Sequence, residues 1–140
     1  MKILVAVDGS PFTKRMLAYL AAHDEWLGPQ HQYTVLTVVL QVPAHAAKMI
    51  DRDLVKSYYA DEAERVFKPI RAFMKAQRLE AEFVSKVGHP AELIAKQADA
   101  GDHDLVMMGS HGHGLLAGLV LGSVATKVLA SSKLPLLLVR

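Results

Sequence analysis

Short, continuously apolar runs alternate along this chain with longer stretches whose apolar positions recur at helical spacing. Ile3 to Val7 is one such run, closed by Asp8-Gly9-Ser10-Pro11. A β-branched run bounded by turn residues reads as a strand buried on both faces. Ser10 then predicts a helix N-cap with Pro11 at the first helical position, and Ser10 is read as a cap rather than a ligand contact. Met16, Leu17, Leu20, Ala21 and Leu27 share one side of a single helix that Gly28-Pro29 ends. Tyr33 to Leu40 predicts a second buried strand, and Gln41 to Asp51 a loop or irregular turn. A long helix follows from about Arg52 to Gln77, with Ala63, Val66, Phe67, Ile70, Phe73 and Met74 on one face. Pro69 lies inside it and should kink it.

Glu80 to Val87 alternates apolar and polar residues, with Ala81, Phe83 and Ser85 on one face, so it reads as an edge strand. Gly88-His89-Pro90 turns into a helix over Ala91 to Ala98. Gly101 to Asp104 is a turn, and Leu105 to Met108 a fourth strand. Val124 to Ala130 reads as a helix and Leu136 to Val139 as a last strand. Strict strand–helix alternation with short connections predicts an α/β fold: an open five-stranded parallel sheet with helices on both faces, Rossmann-like. No linker, repeat or low-complexity tract divides residues 1–140, so a single domain is expected.

Composition narrows the partners. The 140 residues carry a net charge of +2 with no run of like charges, which argues against a nucleic-acid partner. Aromatic residues make up 6%, too few for a base-stacking platform. Cysteine is absent, which excludes disulfide and thiolate metal sites. The first apolar run stops at Asp8, too early for a signal-peptide core, and Leu115 to Thr126 is far short of the ~20 residues of a membrane span. A cytoplasmic protein with no membrane partner is expected.

The candidate chemistry lies in Met108 to Val124, MGSHGHGLLAGLVLGSV. A strand runs into Gly109-x2-Gly112-x9-Gly122-Ser123, and a helix follows. Glycines let backbone approach an anion, and the free N–H groups of a helix start attract it. Ser123 is expected to cap that helix and to offer its hydroxyl to phosphate. In open parallel sheets ligands bind beyond the carboxyl ends of the strands, where strand order reverses. An order of 3-2-1-4-5 would set Asp8 opposite the glycine loop. Asp8 reads either as a turn former or as a ligand contact, and the second is preferred. A carboxylate there should face ribose hydroxyls rather than phosphate.

On these residues the chain resembles the universal stress protein family over nearly its whole length. MGSHG and LGSVATKVL are similar to the family's ATP-binding signature; ILVAVDGS, GHPAELI and LPLLLV are similar to its other segments. The resemblance implies strand order 3-2-1-4-5, adenine-nucleotide binding, and a homodimer. The implied ligand is ATP, alone or with Mg2+. The carry-over places Asp8 at ribose and adenine, the Val38 backbone at adenine, and Ala6 against the base. It places Met108 and Gly109 beside the ribose, and Gly112, Gly122, Ser123 and Val124 around the phosphates. Ala125 departs from the pattern, since many ATP-binding members have Ser or Thr there; one phosphate hydroxyl contact is thereby lost.

Competing readings are weaker. There is no G-x4-G-K-[ST] P-loop and no G-x-G-x-x-G after the first strand. A receiver domain needs a carboxylate ending the third strand, which instead ends Val84-Ser85-Lys86-Val87. His111 and His113 invite a metal, but no third ligand is evident; phosphate contact or plain exposure is preferred. The remaining histidines read as solvated surface. The expected role is a stress-response regulatory module. An enzyme, either a slow ATPase or a phosphoryl- or adenylyl-transferase, is the alternative. It is disfavoured because the loop holds no Lys or Arg. A third reading is a dimerisation module with a vestigial site. The apolar last strand, Leu136 to Val139, is expected to pair with its copy in the dimer.

Overall fold

A computed structural model describes residues 1–114, 118 and 120–140. In chain order the elements are β1 (Lys2–Ala6), α1 (Pro11–Ala22), α2 (Asp24–Leu27), β2 (Gln32–Val39), α3 (Ala44–Ala47), α4 (Arg52–Ala76), β3 (Ala81–Val87), α5 (Pro90–Ala100), β4 (Leu105–Gly109), α6 (Ser123–Ser131) and β5 (Leu136–Val139). The strands form one five-stranded sheet in the order β3-β2-β1-β4-β5, and every neighbouring pair is parallel.

The continuous apolar character of β1 follows from its central place. Ile3, Val5 and Val7 face a core with Met16, Leu17 and Leu20 of α1, Leu27 of α2, and Val66, Phe67 and Ile70 of α4. Leu4 and Ala6 face the other core, with Ile94 and Ala98 of α5 and Ala125 and Val128 of α6. Ile3, Leu4 and Val5 are fully buried. Each such side chain stabilises the fold by roughly 1.5–3 kcal/mol of transfer free energy. Because α1 covers one face and α5 and α6 the other, a crevice opens where β1 and β4 lie side by side.

Ser10 caps α1 as expected, accepting from the Thr13 N–H at 3.4 Å. Gly9 takes φ +75° in the turn before it, a conformation that favours glycine. The helix expected to run on to Gly28 instead breaks at His23, whose φ of −127° is not helical. Two local contacts, between residues four apart in the chain, accompany that break: the His23 ring stacks on Tyr19, and its Nδ1 hydrogen-bonds the Tyr19 carbonyl at 2.7 Å. Beyond it Leu27 is fully buried, and its carbonyl accepts from the hydroxyl of Tyr33. The 41–51 segment, expected as a loop, contains the single turn α3, started by the Pro43 carbonyl. Pro69 lies within α4, which continues through it to Ala76.

His103 also departs from expectation, since it is buried rather than on the surface. The turn before β4 carries Asp102 at φ +51° and turns the imidazole inward, where its Nε2 lies 3.2 Å from Thr34 Oγ1. Gly101 makes room for the ring: a Cβ there would stand 2.3 Å from His103 Cε1.

Candidate functional site

At the carboxyl ends of β1, β2 and β4 lies a cavity of about 210 Å³. Ala6, Asp8, Val38, Met108, Gly109, Gly112, Gly122, Ser123 and Val124, the nine residues singled out in the sequence, all line it. Leu36, Val38, Pro90, Ile94 and Met108 supply apolar walls. Asp8, Thr13, His111, His113 and Ser123 supply polar side chains. No lysine or arginine is among the described lining residues.

The sheet order builds the site. Asp8 lies two residues beyond the end of β1, while Gly109 ends β4, the strand that pairs with β1 at Ala6↔Met108. The chain then forms a loop closed at its base, where the Gly122 N–H donates to the Ser110 carbonyl at 2.7 Å. That closure explains the second glycine of the pattern: a Cβ on Gly122 would lie 3.0 Å from His111 Cα and 3.1 Å from the Ser110 oxygen. Gly122 is the N-cap of α6, and the first intrahelical bond runs from the Thr126 N–H to the Gly122 carbonyl. The N–H groups of Ser123, Val124 and Ala125 therefore have no partner within the helix, at a terminus that carries partial positive charge.

Ser123 differs from its expected part. It is the first residue of α6 rather than its cap, because the chain enters the helix at Gly122 in an extended conformation. Its hydroxyl makes no hydrogen bond to a described residue, and Ser123 is among the residues that line the cavity. Ala125, the departure from the family signature, is buried against the α5 face and lines the cavity as well.

The turn-forming reading of Asp8 describes one of its two oxygens. Oδ1 accepts from the Ser10 N–H and from the Thr13 hydroxyl, each at 2.9 Å, which is the turn-forming role. Oδ2 faces Gly112, whose Cβ, if present, would stand 2.7 Å away. His113 bridges loop and strand through Nε2, 2.7 Å from the Asp8 carbonyl oxygen. His111 lies against the Phe12 ring, with centroids 5.0 Å apart, and its Nδ1 is 2.9 Å from Ser110 Oγ. Among the described residues no group of three His, Asp or Glu could hold a metal ion. Of the expected loop, Leu115, Leu116, Ala117 and Leu119 lie outside the described residues.

Thr13, Pro90 and Ile94 are lining residues that the glycine pattern did not single out. Thr13 could have been found from its place three residues after the cap, on the same side of the first turn of α1. Pro90 and Ile94 enter because α5 starts beside the end of β2, which only the strand order decides.

The model of the universal stress protein family matches residues 1–140. The chain belongs to the universal stress protein family. A universal stress protein of Thermus aquaticus, from the region 3′ of a QAH/OAS sulfhydrylase gene, is 33% identical over 138 residues, spanning 99% of this chain and 97% of the relative. The universal stress protein MJ0577 of Methanocaldococcus jannaschii has the same fold, with a TM-score of 0.78 and 25% identity over 99% of this chain and 94% of its own. An Arabidopsis thaliana member of the family, solved with AMP bound, matches with a TM-score of 0.71 and 17% identity over 99% of this chain and 90% of its own. None of the described helices of this universal stress protein is long and apolar enough to cross a membrane.

Proposed function

We propose that this universal stress protein binds an adenine nucleotide, ATP in particular, in the cavity between β1 and β4, and serves as a cytoplasmic stress-response regulatory module. One observation carries the reading: a single cavity is lined both by the Asp8 carboxylate and by the free N–H end of α6. The base lies against Ala6, Val38 and Ile94, with the Val38 backbone toward adenine. The ribose lies at Asp8, Met108 and Gly109. The phosphates lie at Gly112, Gly122, Ser123 and Val124, where backbone N–H groups and the Ser123 hydroxyl supply donors. Mg2+ accompanies the triphosphate rather than being held by protein carboxylates. The AMP-bound plant relative supports the choice of adenine.

Holding is favoured over hydrolysis. Phosphoryl transfer needs charge neutralisation of the transferred group, and the described lining offers no lysine or arginine. Binding alters the loop surface, and the half-buried, apolar β5 at the sheet edge pairs with its two-fold copy in a homodimer.

Calorimetric titration with ATP and with AMP, each with and without Mg2+, tests the reading. Binding of either nucleotide by the wild type, lost in Gly122→Val, is expected, because the added side chain presses on His111 and the Ser110 carbonyl at the loop base. A folded wild type that binds neither at millimolar concentration would refute the assignment.

A further inference from the structure

The two oxygens of the Asp8 carboxylate are not equivalent, and Thr13 makes them so. The Thr13 hydroxyl accepts from the Asp8 N–H at 3.1 Å and donates to Asp8 Oδ1 at 2.9 Å. A hydroxyl has one proton, and the first bond leaves that proton no competing use on the Asp8 backbone. It is committed to Oδ1. Oδ1 also takes the Ser10 N–H at 2.9 Å, so both of its lone pairs are used. Thr13 is buried and sits in the first turn of α1, which gives the hydroxyl a fixed position. The carboxyl plane is thereby pinned, and Oδ2 makes no hydrogen bond to a described residue.

Oδ2 stands beside Gly112, on the side of the cavity where the glycine loop lies. An ionised carboxylate only accepts, and it repels phosphate. The neutral donor nearest the phosphates in a nucleotide is the sugar, through its vicinal hydroxyls. We infer that Thr13 is a positioning residue that holds Asp8 Oδ2 as a two-lone-pair acceptor for the ribose diol, so that the site selects ribonucleotides over deoxyribonucleotides. The inference rests on the nucleotide reading of the cavity. It adds the sugar as a determinant of specificity and names the residue that sets it. A site built to hydrogen-bond a hydroxyl discriminates strongly against the analogue lacking it, because its own polar group is then left unpaired.

The test compares ATP with 2′-deoxy-ATP, and AMP with 2′-deoxy-AMP, on the wild type, Thr13→Val and Thr13→Ser by calorimetry. The wild type is expected to prefer the ribonucleotide by roughly tenfold or more, the range of one charge-assisted hydrogen bond. Thr13→Val keeps the shape but leaves Oδ1 with the Ser10 N–H alone, so that the carboxyl plane can turn about that one bond, and should bring the ratio to within about threefold. Thr13→Ser should restore the wild-type ratio, which a merely structural role for the hydroxyl in α1 would not require. A wild-type ratio near one overturns the inference without any variant, so it stays falsifiable if Thr13→Val fails to fold. A folded Thr13→Val with an unchanged ratio also overturns it, while leaving nucleotide binding intact. A wild type that binds none of the four nucleotides instead refutes the reading of the cavity itself, and the inference with it.

Discussion

Gly112 and Asp8 stand in direct apposition: a Cβ on Gly112 would lie 2.7 Å from Asp8 Oδ2. The glycine loop and the end of β1 are thus two walls of one narrow space. Gly112→Ala forces either the carboxylate or the loop to move. Because Gly112 lies outside both cores, the expected result is a loss of nucleotide affinity of about tenfold, equivalent to one charge-assisted hydrogen bond, with little change in melting temperature. Calorimetry and thermal unfolding on the same sample separate the two effects. A fall in melting temperature of many degrees with affinity unchanged would contradict this account.

The backbone of β5 alternates between its neighbour and the free edge. The Val106 N–H donates to the Pro135 carbonyl at 3.0 Å and the Ser110 N–H to the Val139 carbonyl at 2.8 Å. By the two-residue period of a strand, the peptide groups of Leu136 and Leu138 point outward. Leu138→Pro removes one outward donor while sparing the bonds to β4, a position where an edge strand tolerates proline. If β5 pairs with its copy, sedimentation should show a concentration-dependent dimer for the wild type and a folded monomer for the variant. A wild type that sediments as a monomer at every concentration would end the proposal.

Tyr33 gives the fold an alkaline limit. Burial pushes its phenol up from 10.0 to about 12, and its hydroxyl donates to the Leu27 carbonyl. The folded pKa exceeds the unfolded one, so the stabilisation is complete below pH 10 and is lost as pH rises toward 12. Tyr33→Phe should cost about 1 kcal/mol at pH 8 for the lost hydrogen bond, and its stability should decline less steeply above pH 10. Urea unfolding across that range measures both; parallel declines in the two proteins would assign the alkaline limit elsewhere.

Gly101 is a packing position. A Cβ there would meet His103 Cε1 at 2.3 Å and the Gln97 carbonyl oxygen at 2.9 Å. Gly101→Ala should destabilise the protein by about 1–3 kcal/mol, as overpacking does, while leaving nucleotide affinity unchanged because the turn lies at the opposite end of β4 from Gly109. Urea unfolding at neutral pH gives the magnitude.

The elements whose character is set locally were legible in the chain. Ser10-Pro11 starts α1, the helical spacing from Ala63 to Met74 buries one face of α4, and Leu136 to Val139 is a strand with the bounds its apolar run suggests. The glycine spacing likewise pointed to the loop, since close backbone approach at Gly112 and Gly122 leaves no room for a side chain. What was misread depended on particular side-chain partners, one local and one distant. His23 breaks its helix where Tyr19 stacks on it, and His103 turns inward because Gly101 leaves space and Thr34 offers a partner.

Hydrophobic period, caps and turn residues determined which segments became strands and helices, because those preferences act over a few neighbours. The tertiary structure brought Gly112 onto Asp8, the partner of Thr13. One of them belongs to a helix, one follows a strand and one lies about a hundred residues further along. Only the pairing of β1 with β4 brings the glycine loop onto the Asp8 carboxylate, and only the start of α1 sets the hydroxyl that orients it.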